Sequence, residues 1–126
     1  MIEMLPAPDH VVAVRFFGEL TGPDFDAVTA EIEARLARHE RIGVVADVTG
    51  FDGATLEALG KDLRYNLGKL GEWKRFPREA VITDRAWVRS AVKAVDPLVP
   101  HIEVRTFDPG ETSEALAWAG GFDRAN

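Results

Sequence analysis

Ile42-Gly43-Val44-Val45-Ala46-Asp47-Val48 is almost continuously apolar. A strand covered on both faces reads as such a run, whereas a strand with one wet face alternates, so this segment is placed at the centre of a sheet. The rest of the chain is read outward from it. Toward the N-terminus, Val11-Val12-Ala13-Val14-Arg15-Phe16-Phe17 is β-branched and aromatic, and Ile2 to Leu5 is read as a short first strand. Toward the C-terminus, Ala80-Val81-Ile82-Thr83 is a further inner strand. Ile102-Glu103-Val104-Arg105-Thr106-Phe107 alternates in character, which suits a strand with a face or an edge in water.

Helical periodicity fills the gaps between these strands. Over 23–38, Phe25, Val28, Ile32 and Leu36 recur at spacings of three and four, with Thr21 ahead as a cap and Asp24 and Asp26 in the first turn. Over 55–71, Leu56, Leu59, Leu63, Leu67 and Leu70 fall within an arc of about 80° at 3.6 residues per turn, while Lys61, Arg64, Tyr65 and Lys69 face away. Trp87, Val88, Ala91, Val92 and Val95 mark a third helix ending before Pro97. Ala115, Leu116 and Ala119 mark a fourth, stopped by Gly120-Gly121. The order β-β-α-β-α-β-α-β-α implies right-handed crossovers and a largely parallel sheet, with an antiparallel start because the first gap is too short for a crossover. The expected fold is therefore α/β: one domain over residues 1–126, with a mixed five-stranded sheet and about four packed helices.

Composition narrows the function classes. The 126 residues are 46% hydrophobic and 29% charged, the balance of a globular domain with one core. Without cysteine there is no disulfide framework, thiolate nucleophile or cysteine-ligated zinc, and the expected location is the cytoplasm. Met1-Ile2-Glu3-Met4-Leu5-Pro6 has neither the basic nor the long apolar region of a signal peptide, and no apolar run approaches the roughly 18 residues of a membrane span. A net charge of −6 argues against nucleic acid, whose binding is driven by cations neutralising phosphates.

Candidate chemical groups mostly read as structural. Asp52, Asp84 and Asp108 follow strands but stand where helices begin, Asp108 with Glu111 three positions on, and are read as caps before metal ligands. Asp47, inside the most apolar strand, would cost several kcal/mol unpaired, so it is expected to bond the backbone N–H of Thr49 or Gly50. His10, His39 and His101 show no metal-ligand spacing. Ser90 and Ser113 sit in no nucleophile elbow, and no glycine-rich phosphate loop follows a strand. No catalytic constellation and no cofactor is read, and an enzymatic alternative rests only on Asp47, Asp52 and Asp84 near strand ends.

Charge placement is more informative. Residues 61–78 hold six cations (Lys61, Arg64, Lys69, Lys74, Arg75, Arg78) against Asp62 and Glu72, a local +4 in a chain whose remainder carries −10. Tyr65, Trp73 and Phe76 are interleaved with them, as on a surface that meets an acidic protein, a phosphate headgroup or an anionic small molecule. A solvated helix face beside a core-covering tryptophan is the plainer reading of the same residues. Lys61, Arg64, Tyr65, Lys69, Trp73, Lys74, Arg75 and Phe76 are the candidate partner-binding set. Gly60, Gly68 and Gly71 flank this helix, each costing about 1 kcal/mol against alanine, which implies a close neighbour there. Trp118 and Phe122, with Trp73 and Phe76, are expected to be incompletely buried and to favour a homodimer.

Met1-Ile2-Glu3, Phe17-Gly18-Glu19-Leu20-Thr21, Asp24-Phe25, the strand from Ile42 to Val48, Phe51, and above all Arg78-Glu79-Ala80-Val81-Ile82-Thr83-Asp84-Arg85-Ala86-Trp87-Val88 together resemble the SpoIIAA-like family over about residues 1–119. That family belongs to the wider STAS group and is also likened to the lipid-transfer CRAL-TRIO fold. The resemblance implies a bacterial STAS-type domain that binds proteins or regulates them without catalysis. Antagonists of this group carry an Asp-Ser phosphorylation site where this chain reads Asp52-Gly53-Ala54-Thr55. The serine is missing, and Thr55 is the one nearby hydroxyl, read first as a cap and second as a phospho-switch. The leucine stripe, the glycine flank and the cationic-aromatic segment that follows them support an alternative, a lipid or other small amphiphile bound beneath the helix over 55–71.

Overall fold

The computed structural model describes residues 1–18, 21–50, 75–86, 89–90 and 103–122. Five strands form one sheet in the order β1-β2-β3-β4-β5: β1 Ile2–Met4, β2 Val11–Phe17, β3 Gly43–Gly50, β4 Arg78–Ile82 and β5 Glu103–Phe107. β1 runs antiparallel to β2, and every other pairing is parallel. The antiparallel start, the central place of the Ile42 to Val48 segment and the edge place of the alternating strand all agree with the sequence.

Helix α1, Gly22–Arg38, carries the chain from β2 to β3. Its N-terminus is a capping box in which Thr21 Oγ1 accepts from Asp24 N–H at 3.3 Å and Asp24 Oδ2 accepts from Thr21 N–H at 3.0 Å. Such a cap is worth about 1 kcal/mol by satisfying N–H groups that the helix itself cannot. A short 3-10 turn, Pro109–Glu111, leads into helix α2, Thr112–Gly120. The described residues thus carry two helices rather than about four. Of the others expected, that over 55–71 lies outside the described residues. Only Ala86, Arg89 and Ser90 of the third are described, with helical backbone.

Because side chains alternate across a strand, the sheet splits its apolar residues between two layers. Val12, Val14, Phe16 and Val48 join Val28 and Ile32 of α1, with Ile42 and Phe76, on one face. Val11, Ala13, Val45, Ala80, Ile82 and Phe107 join Ala115 and Ala119 of α2 on the other. Burying each of the larger aliphatic side chains contributes about 1.5–3 kcal/mol, so these two layers hold the sheet and place its strand ends.

Candidate functional site

Two members of the cationic and aromatic set are described, and both are structural. Phe76 is 0% exposed and packs in the α1 layer, so it offers nothing to a partner. Arg75 spans the last turn of α1, donating from Nη2 to Leu36 O at 2.5 Å and His39 O at 3.0 Å and from Nε to Glu40 O at 2.7 Å. A cation that donates to these orphan carbonyls also opposes the negative end of the helix dipole. An aromatic ring beside a cation reads alike whether it turns to water or to the core, which is why the pattern misassigned this pair. Lys61, Arg64, Tyr65, Lys69, Trp73, Lys74 and Thr55 lie outside the described residues.

Of the groups expected to drive self-association, Phe76, Trp118 and Phe122 are described and Trp73 lies outside the described residues. Phe122 is 7% exposed, its ring 5.8 Å from His10, and Trp118 is half-buried against Phe107 at 5.8 Å. Apolar exposure at Phe76 and Phe122 is therefore not a basis for a dimer.

At the C-terminal ends of the parallel strands, where α/β proteins commonly build sites, Asp47 and Asp108 are committed to holding the backbone. Asp47 is 5% exposed. Its Oδ1 accepts from Thr49 N–H at 3.1 Å and from the Thr49 hydroxyl at 2.7 Å, the turn bond expected from sequence. Its Oδ2 accepts from Arg15 Nε at 3.3 Å, and Arg15 Nη1 reaches Glu3 Oε1 at 2.8 Å. Sheet register explains the row, since Arg15 lies opposite Glu3 on β1 and opposite Asp47 on β3. Burial of the Asp47 charge is thereby offset by three donors.

Past β4, Thr83 accepts at the turn, while Trp87, whose N–H the expected Asp84 cap would meet, lies outside the described residues. Thr83 is fully buried, and its Oγ1 accepts from Arg85 N–H at 3.1 Å. Arg89 donates to Thr83 O at 3.2 Å and pairs with Asp108 Oδ1, tying the ends of β4 and β5 together. Asp108 N–H donates to Glu111 Oε1 at 2.8 Å, within the capping box expected there. Asp52 lies outside the described residues.

The opposite end of the sheet holds a second polar cluster. His10 Nε2 lies 2.9 Å from Gly120 O, fastening the end of α2 to the start of β2. Asp9 accepts from Arg38 Nε at 2.9 Å and Nη2 at 3.0 Å, and its Oδ2 lies 2.7 Å from His39 Nε2. His101 lies outside the described residues, among which no group of three or more His, Asp or Glu side chains is placed to hold a metal ion.

The Arg38 bonds first, and the His39 bond second, hold the Asp9 carboxyl well below its ordinary value of 3.8. A carboxyl depressed by folding adds stability that is complete above the unfolded value and drains away as pH falls through the folded one. The stability gap between wild type and Asp9→Asn is therefore expected to be constant near neutrality and to shrink as pH drops below 3.8. Thermal unfolding at about pH 6 and about pH 2.5 measures it, and an unchanged gap would refute the assignment.

Sequence reasoning missed one cluster. Arg78 lies over the Trp118 ring at 5.1 Å and donates to Trp118 O at 2.8 Å, while Arg105 lies over Phe107 at 5.1 Å and Trp118 at 6.0 Å. Arg105 and Phe107, two residues apart on one strand, were a readable signal that both share a face.

These strand ends and layers match a known pattern. The SpoIIAA-like family model matches residues 11–120. The chain belongs to the SpoIIAA-like family. No curated protein matches it. This SpoIIAA-like chain is also similar to the crystal structure of an uncharacterised protein of the DUF3478 family, with a SpoIIAA-like fold, from Shewanella loihica PV-4. The two are 27% identical, the match covers 94% of this chain and 92% of that one, and the TM-score is 0.66. Among the described residues of the SpoIIAA-like chain, no helix is long and apolar enough to cross a membrane.

Proposed function

We propose that this SpoIIAA-like chain is a bacterial protein-binding or regulatory domain that acts without catalysis and without the Asp-Ser phosphorylation site of the wider group. The observation that carries this reading is the commitment of Asp47 and Asp108, at the strand ends, to bonds that fix backbone and neighbouring strands. A general acid or base needs a carboxyl free to meet a reacting proton, and these two are spent on structure. The SpoIIAA-like match over most of the chain supports the same reading.

The proposed partner surface is the remaining cationic set, Lys61, Arg64, Lys69 and Lys74 with Tyr65 and Trp73, cytoplasmic and facing an acidic protein. The alternative, a lipid or small amphiphile beneath residues 55–71, rests on the leucine and glycine pattern of that segment. Affinity capture at native expression level, followed by quantitative mass spectrometry, separates the two. One stoichiometric protein is expected with the wild type and is lost on reversing the charges of Lys61, Arg64, Lys69 and Lys74 to glutamate. Recovery of the chain with no protein partner, in a lipid-bound form by native mass spectrometry, would replace the first reading by the second.

A further inference from the structure

β5 is the last strand of the described sheet, and its hydrogen bonds reveal which backbone groups face outward. Glu103 N–H donates to Pro77 O at 2.9 Å, and Phe107 O accepts from Thr83 N–H at 3.0 Å. Peptide groups alternate in direction along a strand, so Glu103, Arg105 and Phe107 turn theirs toward β4. Val104 and Thr106 turn their N–H and C=O groups away from it. Among the described residues, no strand lies beyond them.

The side chains at this edge have opposite signs on one face. Glu103 is 70% exposed, with Arg78 Nε no closer than 4.0 Å, and Arg105 is exposed and already ordered by its rings, Phe107 and Trp118. An edge bearing one sign of charge repels a copy of itself, but a glutamate and an arginine two residues apart are complementary to their own image.

We propose that two copies of this chain associate through β5, antiparallel about a two-fold axis at Val104, to make one continuous sheet. In that register Val104 exchanges both backbone hydrogen bonds with Val104 of the second copy. Glu103 of each copy then faces Arg105 of the other in the closer, non-hydrogen-bonded type of pair, with Cα atoms about 4.5 Å apart. The alternatives are worse on the same geometry. A shift of two residues pairs Val104 with Thr106 but sets Arg105 against Arg105. A shift of four pairs Thr106 with Thr106 and gives up both ion pairs. Odd shifts oppose outward groups to inward ones and make no ladder. The area of one strand edge is below that of a standard interface, so the dimer is weak and concentration-dependent.

Sedimentation equilibrium from about 10 μM to about 1 mM tests this, a range that brackets weak association. Wild type is expected to dimerise, and Glu103→Arg or Arg105→Glu alone to weaken dimerisation at least about tenfold, since each turns two attractive pairs into repulsive ones. Mixing the two variants is expected to restore dimers, because every contact between positions 103 and 105 then joins an arginine to a glutamate. Val104→Pro removes an outward N–H from an edge strand, where proline is tolerated, and is expected to abolish the dimer with the circular dichroism spectrum kept. A wild type monomeric throughout, a Val104→Pro variant that dimerises like wild type, or folded single variants that the mixture does not rescue would each overturn the proposal.

Discussion

Gly43→Ala is expected to lower the free energy of unfolding by about 3 kcal/mol or more, the upper range for forcing extra volume into a packed interior. A Cβ at this position would stand 2.1 Å from Ala119 O, 2.7 Å from Ala119 C and 3.3 Å from Ala119 Cβ. The obstacle is the backbone of α2, so no change of side-chain rotamer relieves it. Either α2 lifts off the sheet and loosens Ala115 and Ala119 from Val45, Ala80 and Phe107, or β3 moves. Movement of β3 is costly in turn, because Gly43 is in register with Val11 on one side and Arg78 on the other and donates its N–H to His10 O at 2.9 Å. Urea unfolding measures the loss as a lower midpoint at an unchanged slope. Gly110→Ala serves as the control. Nothing lies within 4 Å of a Cβ there, and its effect is expected to stay within about 0.5 kcal/mol. Equal midpoints for the two variants would show that α2 is not seated on β3 as described.

Gly43 also shows what the sequence could and could not convey. Its place in a near-continuous apolar run marked a central strand, and β3 is central. The same letters said nothing of which element presses on the one residue without a side chain, since that depends on α2, more than seventy positions away. Local signals were legible for the same reason that remote ones were not. Thr21 with Asp24 and Asp47 with Thr49 are bonds between residues within three positions, and both were readable. The Arg15 to Asp47 bond and the Arg75 span over Leu36, His39 and Glu40 join residues more than thirty positions apart, the first created by strand register and the second by the packing of α1 beside the start of β4. Thr83 with Arg85 is equally local, although nothing in the sequence ranked the Thr83 hydroxyl above its neighbours as the turn acceptor.

Phe76→Ala is expected to cost about 3–5 kcal/mol, the range for truncating an aromatic ring in a core that cannot collapse around the gap. The ring is 0% exposed within the layer of Val12, Val14, Phe16, Val28, Ile32, Ile42 and Val48. Collapse is resisted from both sides of the chain. Ile42 N–H donates to Arg75 O at 2.9 Å just before the ring, and Arg78 opens β4 two residues after it. Phe76→Leu keeps most of the volume and is expected to cost about half as much, whereas a ring used for partner contact would give little stability change with either substitution. Urea unfolding of both variants separates the cases. A loss under about 1 kcal/mol for Phe76→Ala, together with loss of the captured protein, would return the ring to the surface and make it a contact residue. The expected result places the cationic stretch differently. Its C-terminal end, Arg75 and Phe76, is an anchor that clamps the last turn of α1 and plugs the core beneath it. The proposed partner surface is then limited to the cations that precede this anchor in the sequence.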